Sequence, residues 1–327
     1  MPQPKTILYS SHDIEYTRDC LAELRKELTY DRLDLNRDLA EQLRGVELFI
    51  DIGGSAPAVV VDAANDVRFW QVIATGLDHC EVERILGRGI PLANTPGFTS
   101  AFGLSECAMM YILMLTRRFH ETQETFSEQA FCQPSGRTLD KMTLTIVGFG
   151  ASGRELAKRA KAFGMRIEAV DVRPLEDDCP AEVRPDVYAM SEELDTVLAR
   201  ADVVSLHLHL TPETRHIIDA RRLKLMKPSA VLINVARGAL VDEEALGAAL
   251  LAGELGGAGL DVFAEEPADP ARPEYKLPNV VVTPHTSGQT DETVRRRCQI
   301  AVENARRLVA GEEFLHTIDA SMGLGKN

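Results

Sequence analysis

The segment from Thr143 to Asp171 constrains the fold more than any other part of the chain. An apolar run rich in β-branched residues predicts a strand that ends at the turn Gly148-Phe149-Gly150-Ala151-Ser152-Gly153. Helical spacing follows from Leu156 to Phe163, Gly164 ends the helix, and a second apolar run ends at Asp171. A Gly-x-Gly-x-x-Gly turn alone is weak evidence and fits a βα turn that binds nothing. Together, strand, turn, helix, strand and acid predict a dinucleotide site.

The three glycines of this turn have different physical roles. Gly148 allows the tight turn, Gly150 lets a diphosphate approach the backbone, and Gly153 lets the helix pack on the strand. The diphosphate is expected on the free N–H groups and the positive end of the helix, with Ser152 in the same turn. The carboxylate of Asp171 can accept hydrogen bonds from both ribose hydroxyls, which predicts NAD as the cofactor.

Composition limits the classes of partner. The chain has 327 residues, 45% of them hydrophobic, which is enough for two domains with substantial cores. A formal net charge of −14 argues against nucleic acid or an anionic membrane as a partner, but leaves a small anionic substrate possible. Neither a signal peptide nor a membrane-spanning run is expected, which predicts a cytoplasmic protein. The six cysteines follow no metal-binding or disulfide spacing, so we predict free thiols and no metal: Cys20, Cys80, Cys107, Cys132, Cys179 and Cys298.

Strand and helix patterns alternate on both sides of the glycine turn, which predicts an α/β fold with parallel sheets. We expect two doubly wound Rossmann-like domains. Residues 1–100, completed by the C-terminal segment 291–327, form a flavodoxin-like substrate domain, and residues 101–290 form an NAD-binding Rossmann domain. A long helix is predicted from Ala101 to Phe119, and an amphipathic helix from Asp291 to Val309 returns the chain to the first domain.

Three side chains that could bind a carboxylate or exchange a proton follow predicted strands in the second half of the chain: Arg237, Glu266 and His285. Ligands bind beyond the carboxyl ends of strands in such sheets. A guanidinium can hold a carboxylate with two hydrogen bonds, a histidine can exchange the proton of an alcohol, and a carboxylate can orient that histidine. Each residue could instead be a solvated loop or turn residue. Their joint position after a nucleotide motif predicts a catalytic set for hydride transfer to a 2-keto acid.

From about Val46 to Ala310 the chain resembles the D-isomer-specific 2-hydroxyacid dehydrogenases. Several separate motifs carry this resemblance in the expected order. Besides the glycine turn with Ala160-Lys-Ala-Phe-Gly-Met165, they are Ile90-Pro-Leu-Ala-Asn-Thr-Pro-Gly97, Leu210-Thr-Pro-Glu-Thr-Arg215, Asn234-Val-Ala-Arg-Gly-Ala-Leu-Val-Asp-Glu243, Leu260-Asp-Val-Phe263 with Glu266-Pro267, and Thr283-Pro-His285.

The resemblance implies a role for each matching position. It implies Arg237 as substrate clamp, His285 as acid and base, and Glu266 as the partner of His285. It also implies a contact of Asp261 with the nicotinamide amide, and a homodimer formed through the nucleotide-binding domains. Two further cofactor contacts are predicted at His207 and Ala236. The substrate carboxylate is expected on backbone groups at Gly53, Gly54, Ser55 and Gly76.

Alternatives within the fold stay open. Formate dehydrogenases are similar but carry glutamine in place of Glu266, so the carboxylate favours chemistry on a hydroxy acid. Glyoxylate, hydroxypyruvate or a similar small keto acid is the predicted substrate class. A nucleotide-sensing corepressor on the same scaffold, or a phosphite-type dehydrogenase, would carry the same motifs. His207 and His209 alternate on a predicted strand and are expected to pack or to hydrogen-bond near the adenosine rather than to bind metal.

Overall fold

The computed structural model describes residues 3–319, which form two compact units. The first unit contains the described residues up to Thr99 and those from Gln289 onwards, and the second is Ser100–Gly288. Each unit is built on one sheet in which all paired strands are parallel. Parallel strands need long crossover connections, and here these contain the helices.

The first unit has a five-stranded sheet in the order β2-β1-β3-β4-β5. All residues of β3 and β4 are buried, as expected for strands covered on both faces. Sequence patterns did not predict the short elements β2, α2 and α3. The elements are β1 (Thr6–Ser10), α1 (Glu15–Leu24), β2 (Asp31–Arg32), α2 (Leu39–Leu43), β3 (Leu48–Ile52), α3 (Ala58–Ala63), β4 (Phe69–Ile73), α4 (Val82–Gly87) and β5 (Leu92–Ala93).

The second unit begins with two helices where the sequence predicted one. Helix α5 (Ala101–Thr116) ends before Arg118, which has a left-handed backbone with φ 52°, and α6 (Phe119–Ser127) begins at the next residue. The helix predicted from Ala101 is confirmed, but its predicted end at Phe119 is wrong, because the left-handed Arg118 interrupts the helical hydrogen-bond ladder. Helix α5 packs against the helix that follows the glycine turn.

The second sheet has seven strands in the order β12-β11-β10-β9-β6-β7-β8. The order reverses beside β6, the strand before the glycine turn, and this switch point is where such sheets bind ligands. The elements are β6 (Thr143–Val147), α7 (Ala151–Ala162), β7 (Arg166–Asp171), β8 (Val187–Met190), α8 (Leu194–Leu198), β9 (Val203–Leu206), α9 (Ala220–Leu223), β10 (Val231–Asn234), α10 (Glu243–Leu251), β11 (Gly257–Leu260) and β12 (Val280–Val282).

Helix α11 (Asp291–Ala310) returns the chain to the first unit, where it packs against α1 and β4. The Thr290 hydroxyl accepts the N–H of Thr293 at its start, and Gly311 with φ 71° ends it. A bridge between Ala93 and Thr317 then adds to the sheet of this unit. The two parallel sheets confirm the predicted α/β class of two Rossmann-like domains, the first completed by the C-terminal segment.

Among residues 3–319, no helix is both long and apolar enough to cross a membrane. The same part of the chain contains no cluster of His, Cys, Asp or Glu that could hold a metal ion. All six cysteines are free thiols.

Candidate active site

The glycine turn forms a cradle at the end of β6. Gly148 has φ 94°, and a side-chain carbon there would lie 2.5 Å from the backbone oxygen of His207. At Gly153 it would lie 2.3 Å from the oxygen of Gly148, whereas at Gly150 no atom would lie within 4 Å. Open space therefore faces Gly150 at the start of α7, while the other two glycines are required by close packing. This geometry fits a diphosphate on a helix N-terminus.

Asp171 ends β7 next to this cradle. Its Oδ2 accepts the backbone N–H of Phe149 at 2.8 Å, and its Oδ1 accepts that of Arg173 at 3.1 Å. The carboxylate is thus held beside the glycine turn, where a ribose diol would be recognised. The guanidinium of Arg173 lies near it, with Nε 3.5 Å from Oδ1, and its side chain is exposed.

His207 lies on the loop after β9, because that strand ends at Leu206 and does not include the two histidines as predicted. Both histidines, His207 and His209, are therefore outside the strand. The two ring nitrogens of His207 lie 3.0 Å from the hydroxyls of Ser152 and Ser205. Burial lowers the pKa of His207 to about 3, so the ring is neutral at neutral pH. His207 therefore orients Ser152 of the cradle without adding positive charge.

Arg237 is positioned by the turn after β10. The side-chain oxygen of Asn234 accepts the N–H of Ala236 at 3.1 Å, and its amide nitrogen donates to the backbone oxygen of Arg237 at 2.8 Å. A side-chain carbon at Gly238 would lie 1.8 Å from the backbone of Phe263. Glycine thus lets the loop that carries Arg237 lie directly against the loop after β11. Sequence reasoning did not identify the roles of Asn234 and Gly238.

His285 and Glu266 form a hydrogen-bonded pair, with 2.7 Å between Nδ1 and Oε2. The second carboxylate oxygen, Oε1, accepts the backbone N–H of Phe263 at 3.0 Å, which fixes the direction of the carboxylate. Burial acts to raise the pKa of Glu266, but the hydrogen bond and charge of His285, with the charge of Arg237, leave it below its usual value. The charges of Arg237 and His285 therefore both act on Glu266.

Asp261 holds the turn that carries His285. Its side chain is fully buried, and its two oxygens accept the N–H groups of Thr286 and Ser287, each at 2.8 Å. The Thr283 hydroxyl donates to the same carboxylate, and the Asp261 carbonyl accepts the N–H of His285 at 2.7 Å. His285 has φ 56°, a left-handed conformation that costs free energy unless the surroundings impose it. Sequence patterns alone did not identify this positioning role of Asp261.

In the first unit, the loop after β3 contains Gly53 and Gly54, with φ 92° and 71°. The N–H groups of Ser55 and Ala56 both donate to the buried carboxylate of Asp51, at 3.1 Å each. Burial raises the pKa of Asp51 to about 6, although these hydrogen bonds oppose the shift. The predicted backbone donor at Ser55 is therefore already used inside the loop.

The loop after β4 orients the backbone N–H of Gly76. The backbone oxygen of Thr75 accepts a hydrogen bond from the Asn94 side chain at 2.8 Å. Because the C=O and N–H of a trans peptide point in opposite directions, this bond directs the N–H of Gly76 away from Asn94. Gly76 thus carries a backbone donor with a fixed orientation at the carboxyl end of a strand.

Comparisons with known proteins agree with this geometry. The sequence profile of the D-isomer specific 2-hydroxyacid dehydrogenase NAD binding domain matches residues 109–287, more than half of the chain. The glyoxylate reductase of Thermofilum pendens is 36% identical over 78% of this chain and 76% of its own, and the hydroxypyruvate reductase of Thermotoga maritima is 38% identical over 73% and 76%.

A solved structure extends the comparison to nearly the whole chain. The D-isomer specific 2-hydroxyacid dehydrogenase from Xanthobacter autotrophicus Py2, in complex with NADPH and MES, has a TM-score of 0.78, 25% identity, and covers 98% of this chain and 100% of its own. The cofactor is a nicotinamide dinucleotide, in agreement with the cradle and with the matched NAD binding domain. The chain belongs to the D-isomer-specific 2-hydroxyacid dehydrogenases.

Proposed function

We propose that the protein interconverts a small 2-keto acid, such as glyoxylate or hydroxypyruvate, and the corresponding D-2-hydroxy acid with NAD(H). The observation that carries this proposal is the 2.7 Å pair of His285 and Glu266 in the electrostatic neighbourhood of Arg237. Relatives named glyoxylate reductase and hydroxypyruvate reductase support the substrate class.

His285 acts as the proton donor in the direction of reduction. Nδ1 is bonded to Glu266, and Nε2 is the ring atom that we assign to the proton transfer with the keto oxygen. The negative charge of Glu266 stabilises the imidazolium before the proton leaves, and in oxidation the neutral ring takes the proton back. When bound, a nicotinamide dinucleotide would supply a hydride to the carbon of the keto acid, or accept one from the hydroxy acid.

The substrate carboxylate is recognised by a cation and by a backbone donor. Arg237 provides the planar guanidinium that suits a carboxylate, and Gly76 provides the N–H group. Gly53, Gly54 and Ser55 of the loop after β3 remain proposed substrate-binding residues, although the Ser55 amide already donates to Asp51. This assignment gives residues 1–100 with the C-terminal segment the role of substrate domain, and residues 101–290 that of NAD-binding domain.

NAD rather than NADP is the proposed cofactor. In the Rossmann unit Asp171 stands where a ribose diol is bound, and its carboxylate would repel a 2′-phosphate. Further nucleotide contacts are assigned to Ser152, His207 and Ala236. Asp261 remains the proposed partner of the nicotinamide amide, in addition to its bonds to the turn that carries His285.

We propose a homodimer formed by the second unit. Large apolar side chains are exposed there on α5, α6 and the following segment, among them Phe126 and Phe131, which are 80% and 88% exposed. Met110, Met114 and Phe163 line an apolar groove in the same unit. A monomer would leave this surface in water, whereas a second copy would bury it. Light scattering should give about twice the monomer mass of 36.0 kDa, and a monomer at micromolar concentration would contradict the proposal.

Free thiols support a reducing cytoplasmic location.

The enzyme assay follows the absorbance of NADH with glyoxylate, hydroxypyruvate, pyruvate and phenylpyruvate, and the same acids with NADPH. We expect the smallest keto acids to be reduced fastest, and NADH to be favoured at least about tenfold in kcat/KM, or roughly 1.4 kcal/mol. Phosphite with NAD is the parallel test for the phosphite-type alternative. Tight NADH binding without turnover of any keto acid would favour a nucleotide-sensing role instead.

A further inference from the structure

Arg297 has an unusual environment on α11. Its guanidinium contacts three hydroxyl groups of the first unit: Nη1 lies 2.8 Å from Tyr16, Nη2 3.2 Å from Thr75 and Nε 3.4 Å from Thr99. It also lies 5.9 Å from the centre of the Tyr16 ring. These contacts connect α11 with α1, with the loop after β4 and with Thr99.

The charge of Arg297 is not balanced by an acid. Within residues 3–319 no carboxylate lies at ion-pair distance from it, whereas Arg295 of the same turn pairs with Glu292 at 2.7 Å. Burial raises the pKa of Tyr16, so that its hydroxyl stays neutral at neutral pH. A half-buried guanidinium whose hydrogen-bond partners are neutral hydroxyls keeps a net positive charge, which favours an anion nearby.

The position of this charge relative to the substrate loop gives it a role. Thr75, the residue whose hydroxyl Arg297 holds, is joined by a peptide bond to Gly76, and the carbonyl of that peptide is bonded to Asn94. The side chain and the carbonyl of Thr75 are therefore both fixed. The N–H of Gly76, the proposed donor to the substrate carboxylate, therefore lies on a loop that Arg297 stabilises through Thr75.

We propose that Arg297 is a positioning and specificity residue for anionic substrates: it fixes Thr75 and adds a positive field at the Gly76 amide, so that this loop selects a carboxylate. This inference rests on the proposed function and extends it, because it assigns a second cation besides Arg237. The preference it creates is for 2-keto acids over neutral 2-keto esters and amides.

The test compares Arg297→Met, which keeps the length of the side chain but removes the charge and hydrogen bonds, with Arg297→Lys, which keeps the charge. Arg295→Met on the exposed face of α11 is the matched control. In Arg297→Met we expect KM for glyoxylate to rise roughly 10-fold, as for one unit charge removed from the neighbourhood of a bound anion. The values of kcat and of KM for NADH should change less than twofold, Arg297→Lys should recover most of the loss, and Arg295→Met should match the unmodified protein.

Two further measurements test the role of Arg297. The first distinguishes it from a purely structural role, and the second does not depend on turnover of a keto acid. With methyl glyoxylate, which has no carboxylate, Arg297→Met and the unmodified protein should have equal KM. Calorimetric titration of the NADH complex with oxamate, a carboxylate that cannot be reduced, should show about tenfold weaker binding in Arg297→Met even if no keto acid is turned over. Equal oxamate affinity in both proteins, or an equal loss with the ester, would overturn the proposal.

Discussion

Replacing Asp261 by asparagine should impair catalysis through the turn that carries His285. The substitution keeps the shape of the side chain but removes its charge and turns one acceptor oxygen into a donor. In the native protein both oxygens accept backbone N–H groups at 2.8 Å, from Thr286 and Ser287, and the side chain is fully buried. In the variant one of these N–H groups must face the new NH2 group, so that two donors point at each other.

The magnitude follows from these contacts. One charge-assisted hydrogen bond contributes about 1.5–3 kcal/mol, and leaving a buried donor unsatisfied costs about 1–3 kcal/mol more. We therefore expect the turn to lose roughly 2.5–6 kcal/mol of local stability. That is enough to release the left-handed backbone of His285, which has φ 56°. A proton donor displaced by about 1 Å can lower a rate by roughly 10²-fold, so kcat for keto-acid reduction should fall by that order.

Steady-state kinetics with a matched control variant tests this reasoning. Asp202 is a second aspartate of the same unit that accepts a backbone N–H, from Thr143 at 2.9 Å, and it also pairs with Lys227. It lies before the first residues of β6 and β9, at the opposite end of these strands from the glycine turn. Asp202→Asn should lower the thermal midpoint but leave kcat unchanged. A normal kcat in Asp261→Asn would refute the positioning role, whereas a rise in KM for NADH would support the contact with nicotinamide.

Three further predictions concern charged groups. Glu266→Gln keeps an acceptor for His285 but removes the negative charge beside the ring, so kcat for keto-acid reduction at neutral pH should fall more than kcat for hydroxy-acid oxidation; an equal loss in both directions would assign Glu266 to structure. Asp171→Ser should narrow the preference for NADH over NADPH by about tenfold or more, measured as the ratio of kcat/KM; an unchanged ratio would shift attention to Arg173. Because the folded pKa of Asp51 is raised to about 6, this group stabilises the fold below the unfolded pKa and loses that contribution as the pH rises towards about 6. The unfolding free energy of the unmodified protein should therefore gain about 1–2 kcal/mol relative to Asp51→Asn between pH 7 and pH 5; parallel pH curves for the two proteins would contradict this.

The parts of the fold that could be predicted are those encoded over a short stretch of sequence. The glycine turn, its flanking strands and Asp171 lie within thirty residues and follow a spacing set by backbone geometry. The common location of Arg237, Glu266 and His285 followed from a general rule, because the carboxyl ends of parallel strands share one edge of a sheet. Their individual roles stay predictions.

The parts that could not be predicted depend on short elements or on distant partners. Helices α2 and α3 have five and six residues, which is less than two turns and too short for a clear apolar period. The interruption at Arg118 has no glycine or proline to mark it. The bonds from Asp261 to residues 283–287, from Asn94 to Thr75 and from Arg297 to the hydroxyls of Tyr16, Thr75 and Thr99 join residues far apart in the chain, and no local pattern encodes them.

The most direct test of the central claim is the rate of keto-acid reduction when His285 is replaced by asparagine. Asparagine tolerates the left-handed backbone of this position better than alanine does, so the turn should keep its shape. With saturating NADH and glyoxylate, we predict a fall in kcat of ~10²–10⁴-fold, the usual contribution of a positioned acid or base, with NADH affinity unchanged. A kcat within about threefold of the unmodified protein would show that another group provides the proton and would contradict the proposed mechanism.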